Sequence, residues 1–543
     1  MSDGALLRGT GLDLGPHARR FALEDRTLLH VLEAQARERP DHEWLVFDGT
    51  DRLTFAEGRK RVHQVGHAVA ERLPDGGHVG LFLRNQVEFV PAFLGAMSCK
   101  AVTVPLNADS RGPLLEYVIT KAEVRILIAR VDLLDRLAEL DALGEVELIV
   151  ACGAGDVPDA IHGAPVVRWD AWLDGRPDTA PAELPRAWDV ALIQFTSGTT
   201  GNSKGVVYPH HFLYLYSAMV TDSQERTPED VLSTPLPLFH VAALHIVAMS
   251  ALHAGCTAHL KSRFSATSFW DEAAADGATF AILIGAMAEI ILKTVPEAPP
   301  HRIGHIFCVP FPGSGEEFQR RYGVELLWQG YGMTEVYTHP MPRRMEPDVP
   351  YDTIGRPVSW MEYGVVDEHD VLLPPGEVGE LVFRPTLPHA MAHGYYKSPE
   401  ATAEVYRGLM FHTGDLAYYD EEGRVHYKGR RGDRIRRRGE NVSAMELEFV
   451  AMGHERVVEA AAYGVPGEFG EHEVKLDVVL QGDLELDELH AWLEAKLPRY
   501  MVPRYLERLD EFPKTPSMKI EKYRLAERPL TRPGVATFEA RQR

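Results

Sequence analysis

Thr196-Ser197-Gly198-Thr199-Thr200-Gly201-Asn202-Ser203-Lys204-Gly205 sets three glycines, a run of hydroxyl side chains and one lysine between two apolar segments. Residues 190–195 before it read as a strand, and residues 212–219 after it, rich in Leu and Tyr, read as a helix. Glycine lets the backbone turn tightly, and closely spaced main-chain N–H groups can wrap a polyphosphate near a helix N-terminus. Lys204 would add positive charge. The glycine spacing of a Walker A loop is missing. A plain Ser/Thr/Gly-rich surface loop is the bland alternative, and the fixed order of ten residues argues against it.

Composition narrows the field. At 543 residues the chain is too long for one core, so at least two domains are expected. Fifty-seven Lys plus Arg against 79 Asp plus Glu leave −22, which argues against nonspecific binding to nucleic acid or an anionic membrane. An anionic substrate therefore needs a locally basic or amide-lined site. Cys99, Cys152, Cys256 and Cys308 lie far apart with no CxxC pair, which excludes the usual zinc and disulfide frameworks and suits a reducing cytosol. Met1-Ser2-Asp3-Gly4-Ala5 shows no signal-peptide pattern. The apolar run 280–292 is too short to span a bilayer and carries Glu289. The expectation is a soluble, cytoplasmic protein acting as a monomer or homodimer.

Strand-like and helix-like segments alternate along most of the chain. Strands are expected at 79–83, 102–106, 124–129, 280–283 and 306–309. Helices are expected at 87–97, where Pro91 threatens a kink, and at 114–121. Residues 153–189, rich in Pro, Gly, Asp and Ala, read as a surface excursion. After residue 350 short strands and turns take over (364–366, 379–383, 423–427). A basic run, 428–439, then precedes a terminal unit with a helix at 445–452 and a strand at 474–480. The fold class is α/β. Helix-covered, mostly parallel sheets and a β-rich subdomain form a large N-terminal domain, residues 1–431, and a small α+β C-terminal domain spans 432–543.

The 196–205 stretch resembles the phosphate-binding loop of the adenylate-forming superfamily of acyl-CoA synthetases, adenylation domains and luciferases, and five later segments match that family in order. Pro237-Leu238-Phe239-His240-Val241 resembles the acyl-pocket segment with His240 as its gate. Amino-acid-activating relatives carry Asp there, so an amino-acid substrate is disfavoured. Gln329-Gly330-Tyr331-Gly332-Met333-Thr334-Glu335 resembles the segment in which a tyrosine stacks on adenine, Thr334 meets the α-phosphate and Glu335 holds Mg²⁺. Phe411-His412-Thr413-Gly414-Asp415 resembles the ribose-binding segment, with Asp415 accepting from both hydroxyls. Residues 429–443 resemble the hinge, with Arg430 assisting at the ribose; Gly432 replaces the usual charged hinge residue, and Asp433 is retained. Pro513-Lys514-Thr515-Pro516-Ser517-Met518-Lys519-Ile520 resembles the loop of the catalytic lysine, Lys519, with Met518 where glycine is usual.

By this resemblance the catalytic set is Lys519, Glu335, Thr196 and His240. The nucleotide set is Thr196, Ser197, Gly198, Thr199, Thr200, Gly201, Lys204, Tyr331, Gly332, Met333, Thr334, Asp415, Arg430 and Lys519. His240, Ala243, His245, Ile284, Gly285, Ala286, Phe311, Gly330 and Met333 would line the acid pocket. The implied reaction uses ATP and Mg²⁺ to make acyl-AMP and then coenzyme A to make a thioester. The C-terminal order is closest to carnitine/crotonobetaine-CoA ligase-like members. Alternatives within the resemblance are an adenylating enzyme that loads an acyl carrier protein or an amine, and a biosynthetic relative that activates nitrite to diazotise an aryl amine.

Overall fold

The computed structural model describes residues 6–196, 203–309, 311–339, 341–343, 349–430, 434–437, 440–466, 472–497, 501–514, 520–530 and 537–539. Two large sheets dominate. One has eight strands, in the order Gly205–Pro209, Val190–Phe195, Val102–Pro105, His78–Phe82, Val124–Arg130, Leu148–Cys152, Ala164–Arg168 and Ala160–Ile161. The other has seven strands and runs from Glu325–Leu327 through Phe280–Leu283 and Val231–Thr234 to Asp51–Thr54. Their interior pairings are parallel and their hairpin edges antiparallel, so the interior strands are buried on both faces and read as near-continuous Val, Ile and Leu runs.

Helices Phe55–Arg72 and Phe89–Ser98 pack into one apolar core shared by both sheets. Pro91 sits in the first turn of the second helix, where the missing N–H costs nothing, and the helix begins at Phe89. Gly95 permits the close crossing of the two helices, because a Cβ there would stand 2.5 Å from Val65 Cβ. The β-rich part is a six-stranded sheet containing Met361–Val366, Gly379–Pro385, Phe411–Tyr419 and Val425–Arg430. A four-stranded sheet that includes Val457–Pro466 and His472–Leu480 comes next in the chain. It has its own core, in which Leu447 and Leu489 of helices Ala444–Met452 and Leu486–Glu494 are buried. No helix among the described residues is long and apolar enough to cross a membrane.

Two expectations are corrected. The helix expected at 212–219 is present within His210–Ser223, but the strand Gly205–Pro209, which pairs antiparallel with Val190–Phe195, carries its N-terminus away from the loop, against the expected closeness of the two. A five-residue strand is about 16 Å long, so that helix N-terminus cannot cradle a group held at the loop. The β-branched pair Val206-Val207, with Tyr208 buried beside it, is the strand signal in this segment. Residues 153–189 are not merely a surface excursion either. Ala164–Arg168 joins the large sheet parallel to Leu148–Cys152, and Trp169–Leu173 buries both of its tryptophans.

His210, His245 and His339 are buried, and burial drives each imidazole pKa down to about 3. Such rings stay neutral in the fold but bind protons in the unfolded chain below the ordinary value. Their contribution is therefore intact above about pH 6.5 and is lost progressively as pH falls toward 3. Each ring can cost up to ~1.4 kcal/mol per pH unit in that window. His426, which despite its burial is raised by Asp352 and Asp420, acts in the opposite sense, one ring against three. The urea midpoint is expected to fall between pH 7 and pH 5. A flat profile would mean that these rings are not held neutral.

Candidate active site

The ends of the 196–205 stretch are tied together. Thr196 N–H donates to the Lys204 carbonyl at 3.0 Å, and Lys204 N–H donates back to Thr196 Oγ1 at 3.2 Å. Ser203 Oγ donates to the Thr196 carbonyl. Ser197, Gly198, Thr199, Thr200 and Gly201 lie outside the described residues. A distant segment, 393–396, is laced to the Gly205–Pro209 strand: His393 N–H reaches the Val207 carbonyl at 2.8 Å, and Tyr396 N–H reaches that of Gly205 at 2.7 Å.

That lacing delivers Tyr395. Lys204 Nζ stands 4.9 Å from its ring centroid, and its hydroxyl donates to Glu335 Oε1 at 2.7 Å. Glu335 is only 5% exposed. Burial pushes its carboxyl up, against the Tyr395 hydrogen bond and the Arg430 and Lys204 charges. A buried carboxylate in that condition gains from a cation beside it, so its chemistry suits a hard divalent ion. Glu335 and Thr334 form the turn between strands Tyr331–Met333 and Val336–His339, and the Thr334 carbonyl accepts from the Tyr208 hydroxyl. Gly332 has to be glycine here, because a Cβ would stand 2.2 Å from the Tyr337 ring.

Tyr331, Asp415 and Arg430, far apart in sequence, meet directly. Tyr331 OH donates to Asp415 Oδ2 at 2.6 Å, and Arg430 Nε donates to Asp415 Oδ1 at 3.1 Å. The Tyr331 ring is buried beside Phe383 and Tyr427. His240 is half-buried, its ring 4.6 Å from that of Phe239. The segment before it is clamped by Asn85, which donates to the Leu236 carbonyl at 2.9 Å and accepts from Leu238 N–H at 2.8 Å.

Ala243 and His245 lie on a π-helical turn, Ala242–Met249, a rare geometry that recurs at functional sites. The His245 ring stacks on Tyr216 at 4.9 Å, and Tyr216 stacks on Tyr337 at 4.0 Å. Neither His245 nitrogen, nor the Tyr337 hydroxyl, has a hydrogen-bond partner among the described residues. Ile284 caps the helix Gly285–Thr294, which begins with Gly285 and Ala286. Gly330 leaves ordinary contact distance to Phe307, and Met333 is half-buried. Phe311 stacks on Tyr351 at 4.3 Å. Lys519, Gly432, Asp433 and Met518 lie outside the described residues.

Tyr395, Asn85, Tyr216 and Tyr337 are not evident from the sequence. No short motif marks them, since each reaches the site through backbone pairing, side-chain stacking or, for Asn85, side-chain hydrogen bonds to a segment 151 to 153 residues away. Only the Tyr395-Tyr396 pair, polar-tipped aromatics beside a glycine, offers a local hint.

Known proteins share this architecture. The model of the AMP-binding enzyme family matches residues 32–396, and that of the AMP-binding enzyme C-terminal domain matches 446–519. The crotonobetaine/carnitine–CoA ligase of Salmonella agona is 31% identical over 463 residues, which is 83% of this chain and 88% of the relative. Among solved structures, the anthranilate CoA ligase AuaEII in complex with anthranoyl-AMP superimposes with a TM-score of 0.84 at 22% identity, covering 94% of this chain and 98% of that one. ATP-bound MatB from Rhodopseudomonas palustris superimposes with a TM-score of 0.79 at 25% identity, covering 92% and 98%.

Proposed function

The chain belongs to the AMP-binding enzyme family, and from that premise we propose how its residues divide the work. It is an AMP-forming acid–thiol ligase, which activates a carboxylic acid with ATP and passes the acyl group to coenzyme A. In the first step a carboxylate oxygen bonds to the α-phosphorus while the bond from that phosphorus to the bridging oxygen breaks, and pyrophosphate leaves. In the second, the thiol sulfur bonds to the acyl carbon, the bond to AMP breaks, and the thiol proton is released to solvent. Two anions meet in the first step, so positioning and charge neutralisation carry the catalysis.

The nucleotide is assigned to one face of the site. Asp415, flanked by Arg430 and Tyr331, accepts from the ribose hydroxyls, and Tyr331 and Gly332 border the adenine. Thr334 meets the α-phosphate. The 196–205 stretch, with Lys204, holds the phosphates further along, and Lys519 supplies a second ammonium group. Mg²⁺ held at Glu335 would offset phosphate charge. The observation that carries this reading is the convergence of Tyr331 and Arg430 on the Asp415 carboxylate, next to the Glu335–Tyr395–Lys204 group. His240, Ala243, His245, Ile284, Gly285, Ala286, Phe311, Gly330 and Met333 are assigned to the acid. His245, which burial keeps neutral, and the Tyr337 hydroxyl, without a hydrogen-bond partner among the described residues, favour an acid with hydrogen-bonding atoms beyond its carboxylate. Pyrophosphate release measured over a panel of polar and apolar acids, with and without coenzyme A, tests the assignment. Release with none of the polar acids would defeat it, and release without thioester formation would point to a carrier protein or amine acceptor.

Residues 1–431 and 432–543 are assigned to two domains that change orientation between the steps, with the bend at Gly432. Proline there fixes φ near −65°, so Gly432→Pro is expected to slow thioester formation more than adenylation. Rapid-mixing rates for the two half-reactions check it; equal slowing of both would move the bend elsewhere.

A further inference from the structure

Asp370, Glu380 and His412 bring their ligand atoms within 4.8 Å of one another, an arrangement that could hold a metal ion. A cation is already there. Arg407 Nε stands 3.0 Å from Asp370 Oδ2, and Arg407 Nη2 stands 3.0 Å from Glu380 Oε2. His412 Nδ1 lies 3.2 Å from the same Glu380 oxygen. Burial alone would push the Glu380 carboxyl up, but the His412 and Gly414 hydrogen bonds and the Arg407 charge hold it down at about 2.

The other Glu380 oxygen has a different task. In the pairing of Gly379–Pro385 with Phe411–Tyr419, Val382 faces His412 and Glu380 faces Leu416, so Thr413, Gly414 and Asp415 together stand against Leu381 alone. Extra residues of this kind bend a strand and re-aim its side chains. Gly414 stands outside both flanking registers, at a left-handed φ of 72°. Its N–H donates to Glu380 Oε1 at 2.9 Å. Thr413 Oγ1 donates to the Leu381 carbonyl at 2.7 Å and accepts from Asp415 N–H at 3.0 Å, completing the bulge.

We propose that Glu380 is a positioning residue for the ribose of ATP: by capping Gly414 N–H it sets the bulge that aims the Asp415 carboxylate at the vicinal hydroxyls. The inference rests on the reading of Asp415 as the ribose acceptor. Arg407 and His412 hold Glu380 in turn, and no cofactor is needed at their cluster.

The test compares kcat/KM for ATP with that for 2′,3′-dideoxy-ATP in acid-dependent pyrophosphate release. Asp415→Ala is expected to collapse the preference for ATP. Glu380→Met, which keeps volume but offers no oxygen, should reduce that preference about 10-fold through KM, with kcat nearly kept. Glu380→Gln retains an oxygen for Gly414 and should recover most of it. If Glu380→Met does not fold, Gly414→Ala takes its place, since its added Cβ has nothing within 4 Å to strike and acts only on the backbone turn. Collapse with Asp415→Ala but an unchanged preference in Glu380→Met, or in Gly414→Ala where that variant stands in, would overturn the inference alone. An unchanged preference in Asp415→Ala would overturn the ribose reading beneath it.

Discussion

Replacing Lys519 by alanine is expected to slow acyl-AMP formation by about 10²–10³-fold, the usual effect of deleting one charge-stabilising donor from an acyl- or phosphoryl-transfer site. Attack of a carboxylate on a triphosphate raises negative charge in a confined space, and an ammonium group placed there acts on the transition state more than on bound ATP. The loss should therefore fall on kcat, with the KM for ATP little changed. Thioester formation from supplied acyl-AMP should persist, because under the proposed change of domain orientation Lys519 is withdrawn for that step. Measuring both half-reactions on one variant separates the possibilities. Near-normal adenylation would remove Lys519 from the site, and equal loss in both steps would recast it as a structural residue.

Glu335→Gln should produce the second large effect. The carboxylate is buried, its hydrogen-bond partner Tyr395 is a neutral phenol, and the Arg430 and Lys204 charges do not fully offset its burial; on the proposed reading Mg²⁺ would supply the rest. Substituting an amide removes the charge but keeps an oxygen for Tyr395, so the fold should survive. Loss of partners that merely support a metal ligand costs about 10–100-fold in affinity. A direct ligand should cost at least that, read as a rise in the Mg²⁺ concentration for half-maximal adenylation. The raised pKa of Glu335 fixes a pH sign as well: protons compete with Mg²⁺ as pH falls, so the wild-type Mg²⁺ requirement should climb more steeply on acidification than that of the variant, in which only the phosphates still titrate. An unchanged Mg²⁺ curve in the variant would exclude Glu335 as the metal-holding group.

Local pattern carries much of the fold. The apolar run 124–129 reads as an interior strand, which the structure has at Val124–Arg130, and residue order locates the Gly/Ser/Thr/Lys stretch without placing it. The motif order also nominates Asp415, Glu335 and Arg430. The segment beginning at Gly205 is left unassigned by sequence because five residues carry too little apolar pattern to mark a strand by themselves; pairing with Val190–Phe195 makes it one, ahead of the helix that the pattern at 212–219 does mark. Within residues 153–189, turn-rich composition hides Ala164–Arg168, a strand that exists by virtue of its neighbour Leu148–Cys152.

At the site the division has the same cause. A sequence specifies which side chains are available and with what local backbone freedom, so Asp415 and its flexible Gly414 are visible at once. The side chain that caps Gly414 lies 34 residues away, and the tyrosine that bonds to Glu335 lies 60 residues away. Strand register and the lacing of 393–396 bring those groups to hydrogen-bonding distance, and no local periodicity encodes such a meeting. The motif order by itself pointed to ATP-driven activation of an acid and left the acceptor open, and the family match supplied the thiol. Tertiary pairing alone decided which carboxylates were aimed, which were buried, and which were already occupied by an arginine.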